Sequence, residues 1–391
     1  MLRILSFIFC LIAFDFTISQ LFLLDILYKK RINIFKSDIE NRVSHKEYKY
    51  SFKKNSQFIA RYDHKFTFKD YTINTNNLGF RDKEIRTLNK DKNYSLVIGD
   101  SFVEGVALEY DDTLTAILNN RLNSDEFDKF EFLNAGVSSY SPYIYMKKVK
   151  NILKTNQWLK VKSVVILYDK SDLADNTAFY NKPNSFPIKK KIFINRKKEK
   201  LINDFKKLRF DSIFTEQTII GIFAREIIGE SIENLIRYTK FYLKAYNFYN
   251  VNFFNVTKSQ INSMYASDFQ RLQSFFYEPK WENEGKKSID FAFENFKNLE
   301  LFLEKKGIKL IIVIYPWPFE LLDVNVREKY LNYINIKFNE SDINDLIIYD
   351  KFLEGKISDN ISKFYIPKDV HFNKQGNKIL SNEIFKEILN K

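Results

Sequence analysis

The chain has 391 residues, 45% of them hydrophobic, so it is long enough to bury at least one complete core. Its 62 basic and 49 acidic residues give a net charge of +13, which favours contact with an anionic partner such as phosphate, an acidic glycan or lipid headgroups. The single cysteine, Cys10, excludes an intramolecular disulfide and a cysteine-ligated zinc or iron–sulfur site.

The N-terminal segment is the first predicted element. Residues 4–28 are mostly apolar and match the length of a bilayer span, about 20 residues, although Asp15 opposes insertion by roughly 2.5–3.5 kcal/mol. No small-residue cleavage pattern follows, so we predict an uncleaved signal anchor over residues 1–31, with a buried helix of a soluble protein as the alternative. No second stretch approaches spanning length, which places the rest of the chain on one side of the membrane.

Five short apolar runs follow residue 90, at residues 94–98, 131–133, 163–168, 308–315 and 346–349. Continuous β-branched runs are typical of strands buried on both faces, as in parallel sheets. Amphipathic helical patterns lie between the runs and after His371. This alternation predicts a three-layer α/β domain with a flavodoxin-like parallel sheet of about five strands.

The same pattern divides the chain. Residues 32–90 form an N-terminal extension, in which the turn-like sequence at 76–82 predicts a short hairpin. The α/β core is predicted in two parts, 91–175 and 301–391. The residues between them, 176–300, exceed what a crossover needs, so they are predicted to be a helical insertion that is strongly basic between Lys189 and Lys207.

A Gly-Asp-Ser-Phe sequence at residues 99–102 directly follows the first buried strand. Ligands of doubly wound sheets bind outside the carboxyl ends of the strands, and amides at a helix N-terminus bind developing negative charge. Ser101 is therefore the candidate nucleophile. The plainer alternative is a helix N-cap after a glycine turn.

Asp369 and His371 form the second candidate element. Two residues apart in an extended segment, their side chains would point the same way. Asp369 can then hold one imidazole nitrogen and orient the other toward a nucleophile, the arrangement of a catalytic triad. His371 is the only histidine after His64, which makes it the only candidate general base in the α/β part.

These residues together resemble the SGNH/GDSL hydrolase family. Residues 99–102 are similar to the first block of the family, whose serine is the nucleophile. Residues 134–137 (Asn-Ala-Gly-Val) are similar to the second block, whose glycine amide contributes to the oxyanion hole. In this sequence that glycine is Gly136. Residues 369–371 are similar to the last block. The sequence D-x-H-F-N-x-x-G from Asp369 and the stretch 78–82 resemble a membrane-anchored, envelope-associated subgroup. The resemblance covers residues 75–175 and 295–391 and implies a serine esterase with no cofactor or metal.

The third block departs from the family pattern. The family supplies an asparagine there to complete the oxyanion hole, and the alignment puts Ser171 at its position. Losing such a donor costs roughly 10²–10³ in turnover, so Ser171, Lys170 and Asn176 are alternative donors. The aspartates of this loop are interpreted as solvated loop caps in preference to ligands of a divalent cation: Asp169, Asp172 and Asp175.

The expected function is an O-acyl esterase or acyltransferase, with acetyl as the expected group and an envelope glycan as the substrate. Tyr315 and Trp317 follow the fourth strand and are candidate pocket walls, with a rigid core-capping loop as an equal alternative. The resemblance implies a periplasmic or other extracytoplasmic domain, whereas the basic cluster at 29–31 points to the cytoplasm under the positive-inside rule.

A second function class is a catalytically weak module of the same fold that binds an anionic glycan or another anionic polymer through the basic insertion. No nucleic-acid-binding module is recognisable, so nucleic acid is not an expected partner.

Overall fold

The computed structural model describes residues 37–48, 50–64, 67–122, 124–175, 274–276, 278–341, 343–367 and 369–389, with isolated positions between 6 and 17. The predicted anchor lies almost wholly outside these residues, and so does the basic stretch from 189 to 207. Among the residues that are described, no helix is both long and apolar enough to cross a membrane. The architecture below is that of the compact unit formed by residues 40–187 and 257–391.

Among the described residues, eight strands form one mixed sheet, and two more form a separate antiparallel ribbon, β1 (Arg42–Ser44) with β2 (Tyr50–Phe52). The sheet contains β3 (Gln57–His64), β4 (Thr67–Thr75), β5 (Arg81–Asp82), β6 (Asn93–Ile98), β7 (Phe130–Asn134), β8 (Lys160–Tyr168), β9 (Lys309–Ile314) and β10 (Asp345–Ile347). Their spatial order is β10-β9-β8-β6-β7-β5-β4-β3.

The strands from β6 to β10 pair in parallel and correspond to the five predicted runs. Counted from β6, their order is 2-1-3-4-5 read outward from β7, which is the flavodoxin-like order. The α/β class and this order are confirmed. The prediction of about five strands was too low, because β5, β4 and β3 extend the sheet in antiparallel pairing beyond β7. Without them β7 would present an unpaired edge.

The described helices are α1 (Ser101–Glu104), α2 (Leu114–Asn119), α3 (Ser124–Lys129), α4 (Pro142–Thr155), α5 (Lys286–Glu304), α6 (Pro318–Leu322), α7 (Val324–Asn339), α8 (Asp350–Leu353), α9 (Ile357–Phe364) and α10 (Lys374–Leu389). Thr113 caps α2 as predicted, since its hydroxyl accepts a hydrogen bond from the amide of Ala116. Helix α5 packs against α4 and β9 and runs across the predicted domain boundary at residue 300. The domain boundaries themselves stay predictions.

The predicted turn at 76–82 joins β4 to β5. The side chain of Asn76 accepts hydrogen bonds from the amides of Leu78 (3.0 Å) and Phe80 (3.2 Å), and Gly79 has a φ of +77°. Beyond the turn, the buried guanidinium of Arg81 donates to four backbone carbonyls, that of Thr72 on β4 and those of Glu104, Gly105 and Leu108. The N-terminal extension is thereby fixed to the segment that follows Ser101.

Candidate active site

Ser101 lies at the carboxyl end of β6, as the first residue of α1. Asp100 caps this helix, since its Oδ1 accepts a hydrogen bond of 3.0 Å from the amide of Phe102. A Cβ atom at Gly99 would lie 2.5 Å from the side chain of Val103, so only glycine permits the tight turn. Among the described residues, the backbone N–H of Ser101 donates to no acceptor. This leaves it available to a ligand.

The structure brings the three candidate triad residues together. Oγ of Ser101 lies 2.8 Å from Nε2 of His371, and Nδ1 of His371 lies 2.5 Å from Oδ1 of Asp369. The imidazole is 8% exposed and Asp369 is 1% exposed, so water reaches the pair only at its edge. A chain of hydrogen bonds therefore runs from the serine hydroxyl to a buried carboxylate.

The local reason for the contact between Asp369 and His371 differs from the predicted one. The segment is bent, and Oδ1 of Asp369 also accepts a hydrogen bond of 2.9 Å from the backbone N–H of His371. An aspartate that bonds the amide two residues on forms an Asx turn. The spacing of two residues is productive because of this turn, and the extended segment predicted here was wrong.

The surroundings favour a protonated His371 beside an ionised Asp369. Burial alone would lower the pKa of His371, but the charge and hydrogen bond of Asp369 raise it overall. Burial would likewise raise the pKa of Asp369, yet the charge and hydrogen bonds of His371 hold it below its usual value. The imidazole is thus prepared to receive a proton while Asp369 remains a carboxylate.

Two aromatic side chains contact the imidazole. The Tyr62 hydroxyl on β3 lies 3.3 Å from Nδ1 of His371, with the rings edge to face. The Phe102 ring lies 4.6 Å from the imidazole, centroid to centroid. Sequence reasoning missed Tyr62, which is one of 23 tyrosines and comes from the extension, 309 residues away.

Gly136 lies at the end of β7, where the backbone approaches α1 closely. A Cβ atom there would lie 2.5 Å from Cβ of Val103 and 2.8 Å from the amide nitrogen of Glu104. Its own amide donates to Oδ1 of Asn134 at 3.2 Å. Close packing against α1 thus accounts for a glycine at this position, and the role of Gly136 in an oxyanion hole stays a prediction.

The hydroxyl of Ser171, a predicted donor to the oxyanion, is hydrogen-bonded to two carboxylates. Its Oγ lies 2.5 Å from Oδ1 of Asp169 and 3.1 Å from Oδ2 of Asp100. Lys170 is fully buried, 3.3 Å from Glu320, and also donates to the carbonyl of Tyr315. Both alternative donors therefore have other partners, and Asn176 lies outside the described residues.

Tyr315 and Trp317 are both buried, and both bind Asp169. The Tyr315 hydroxyl and the indole N–H of Trp317 donate to Oδ2 of Asp169 at 2.8 and 2.7 Å. Their rings pack on Phe102, with centroid distances of 5.0 and 6.2 Å. This geometry is that of a core-capping loop behind the nucleophile, and their role as pocket walls stays a prediction.

The loop after β8 contains buried acids, where the sequence predicted solvated ones. Asp169 and Asp172 are both 0% exposed, and the amide of Asp169 donates to Asp172. The acids do cap the loop. Asp172 is buried and not solvated, and this burial raises its pKa, with the charge of Asp100 as the second cause. In the part of the chain that is described, no cluster of three or more metal-ligating side chains is placed to hold a metal ion.

Fold and site together define an α/β protein of flavodoxin-like strand order in which a serine at the end of the first parallel strand is hydrogen-bonded to a His-Asp pair. Neither a protein-family model nor a curated protein matches the sequence.

Solved structures to which the chain is similar include three proteins that the match covers almost completely. One is a lipolytic protein of the G-D-S-L family from Veillonella parvula, with 11% identity, a TM-score of 0.37 and coverage of 76% of this chain and 99% of that chain. The esterase EstA from Pseudoalteromonas has 11% identity, a TM-score of 0.37 and coverage of 77% and 100%. TesA has 10% identity, a TM-score of 0.37 and coverage of 76% and 98%. Identities and TM-scores this low carry no argument about function, so a function has to be argued from the residues of this chain.

Proposed function

We propose that the protein is a serine hydrolase of the SGNH/GDSL type that cleaves an ester. The observation that carries the proposal is the continuous hydrogen-bond chain from Oγ of Ser101 through His371 to Asp369, with distances of 2.8 and 2.5 Å. This is the geometry of an activated serine, in which a base lies within reach of the hydroxyl and a carboxylate orients the base.

The reaction follows from these positions. Oγ of Ser101 attacks the ester carbonyl while Nε2 of His371 takes its proton. The resulting imidazolium is stabilised by Asp369, and it returns the proton to the departing alcohol as the ester bond breaks. Water, deprotonated by the same imidazole, then attacks the acyl group; the bond to Oγ of Ser101 breaks, the imidazolium returns the proton to Oγ, and the acid is released. The N–H of Ser101 supplies one donor to the oxyanion.

The finer proposal concerns the substrate and the compartment. We propose an O-acyl group, acetyl in the first instance, on an envelope glycan, and an anchored enzyme whose domain lies outside the cytoplasm. The support is the resemblance of residues 78–82 and of the sequence around His371 to the anchored subgroup, together with the apolar residues 4–28. An acyltransferase would use the same acyl-enzyme, with a sugar hydroxyl in place of water.

The test uses the full-length protein with p-nitrophenyl acetate turnover and labelling by a serine-directed fluorophosphonate. Ser101→Ala and His371→Ala are each expected to lower turnover by about 10³-fold or more, since nucleophile and base act as a unit, and Ser101→Ala should also abolish labelling. His45→Ala, a histidine outside the site, should match the parent. Turnover that survives in Ser101→Ala would exclude Ser101 as the nucleophile.

One observation favours a second candidate, the catalytically weak glycan-binding module. The hydroxyl of Ser171 bonds to carboxylates where the family has a free amide donor, so the oxyanion has fewer donors. A folded parent that neither labels nor hydrolyses the ester, but binds an acidic glycan with a salt-dependent affinity, would support this candidate instead.

A further inference from the structure

Asp100 has a second oxygen that the helix cap does not use. Its Oδ1 accepts from the amide of Phe102, while Oδ2 lies 3.2 Å from Oγ of Ser101 and 3.1 Å from Oγ of Ser171. The side chain is 2% exposed, so these two hydroxyls are the contacts of Oδ2 in place of water. A buried acid thus touches the proposed nucleophile directly.

The protons of the two hydroxyls are both committed elsewhere. In the reactive form His371 is a neutral imidazole whose Nδ1–H donates to Asp369, so its Nε2 accepts the proton of Ser101. Ser171 has a single proton, and its shortest contact, 2.5 Å, is with Oδ1 of Asp169. Oδ2 of Asp100 therefore faces two oxygen lone pairs, an arrangement that is repulsive unless Oδ2 carries a proton itself.

The surroundings favour the neutral acid. Asp169 and Asp172 face Asp100 from the loop after β8, Tyr145 from α4, Tyr315 from the end of β9, and His371 from the loop before α10. The one cation in the described part of this loop, residues 169–175, is Lys170, which is bonded to Glu320. Burial, followed by the charge of Asp169, raises the pKa of Asp100 to about 7.

We propose that in the reactive form of the site, in which His371 is neutral, Asp100 is a protonated carboxylic acid whose Oδ2–H donates to the oxygen of Ser101. This makes Asp100 a positioning residue for the nucleophile, a role that rests on the proposed function. The donated bond keeps the proton of Ser101 directed at His371 and keeps a full negative charge away from the oxygen where charge develops. When Asp100 ionises, the hydroxyl of Ser101 turns toward the carboxylate and attack slows.

Asp100→Asn imitates the protonated acid, because its amide oxygen can accept from Phe102 while its NH₂ donates to Ser101 and Ser171. We expect kcat/KM of this variant to stay within about tenfold of the parent below neutral pH, the effect of at most one altered hydrogen bond. On the alkaline limb of its pH profile the parent should lose activity as Asp100 loses its proton, whereas Asp100→Asn, which cannot ionise, should keep it. Asp100→Ala lacks both bonds and should be impaired at every pH.

A second measurement does not depend on activity. The chain has only three histidines, so the titration of the His371 imidazole can be followed by NMR and assigned with His371→Ala. If Asp100 is neutral while His371 titrates, Asp100→Asn leaves the midpoint unchanged, as should the remote control Asp290→Asn. A midpoint lowered by one pH unit or more in Asp100→Asn would mean that a carboxylate had been removed, and would overturn the proposal.

The two failures are distinguishable. A parent without ester turnover or fluorophosphonate labelling would refute the proposed hydrolase, while the His371 titration would still locate the proton. A parent that is active but loses all activity in Asp100→Asn, with the His371 midpoint lowered, would retain the hydrolase and refute the protonated acid.

Discussion

At the residue scale, the site depends on one oxygen of Asp369. Oδ1 accepts both the backbone N–H and the Nδ1–H of His371, at 2.9 and 2.5 Å. The first bond fixes the loop and the second fixes the tautomer of the ring. Both the position and the proton of the imidazole are therefore set by a single carboxylate.

Asp369→Asn should lower kcat by about 10⁴-fold, because a neutral amide cannot stabilise the imidazolium and, if it turns its NH₂ to Nδ1, also holds the wrong tautomer. Steady-state kinetics with the ester, alongside circular dichroism of the same samples, measures this. Activity within tenfold of the parent would show that the carboxylate does not orient the base.

The sequence predicted Ser101, Asp369 and His371 because each belongs to a short local pattern. It did not predict Tyr62 at the imidazole or the contact of Asp100 with Ser171. Those contacts join segments that are far apart in the chain, and their residue types are common at any position. A local pattern carries no information about which distant side chain completes it.

At the element scale, the parallel half of the sheet was predictable and the antiparallel half was not. Runs such as Leu96–Val97–Ile98 are buried on both faces and read as apolar without interruption. Strand β4 (Thr67–Thr75) instead alternates polar and apolar residues, as antiparallel strands with one solvated face do. In a stretch so rich in polar and aromatic residues, only the turn-like sequence at 76–82 gave a prediction, that of a short hairpin.

The approach of β7 to α1 gives a prediction at this scale. Gly136→Ala would place a methyl group 2.5 Å from Val103 and 2.8 Å from the backbone of Glu104, so the nucleophile helix must shift. We expect a loss of about 1–3 kcal/mol in the free energy of unfolding, typical of overpacking, together with reduced turnover.

Gly307→Ala is the matched control for Gly136→Ala. Gly307 has a φ of +64° and no atom near its missing Cβ, so the cost there is backbone strain of about 1–2 kcal/mol, without effect on the site. Urea unfolding and kinetics of the two variants separate the cases. Unchanged turnover in Gly136→Ala would show that α1 does not depend on this contact.

At the scale of the whole molecule, Glu104 connects parts of the fold that are distant in sequence. Its carboxylate accepts two hydrogen bonds from Arg42 on β1 (3.1 and 2.8 Å) and two from Ser138 after β7 (2.6 and 2.7 Å). Burial opposes its charge, but Arg42 and Ser138 together lower its pKa from the usual 4.5 to about 2. The extension, the nucleophile helix and the sheet are therefore held by one ionised side chain.

The folded-state pKa of Glu104 is depressed, so its contribution is fully present above pH 4.5 and is lost as the pH falls toward 2. At about 1.4 kcal/mol per pH unit the contribution is about 3 kcal/mol. Between pH 6 and pH 3 about 2 kcal/mol of this contribution is lost, so urea unfolding of the parent at these two pH values should show a decline that Glu104→Gln reduces by about 2 kcal/mol.

Glu354→Gln, which breaks the exposed pair with Lys351, serves as the control for Glu104→Gln. It should change stability by about 1 kcal/mol or less at either pH. An equally steep decline in the parent and in Glu104→Gln would refute the assigned role of Glu104.

Because 270 residues separate Ser101 from His371, the nucleophile is synthesised well before its base. At typical rates of synthesis a ribosome needs roughly 15–50 s to pass from one codon to the other. His371 is held by the loop that leads into α10, which packs on α2 and whose Asn377 bonds the carbonyl of Asp112. A growing chain can thus complete most of its sheet with a serine that has no base, and the protein gains its chemistry only when α10 packs on α2.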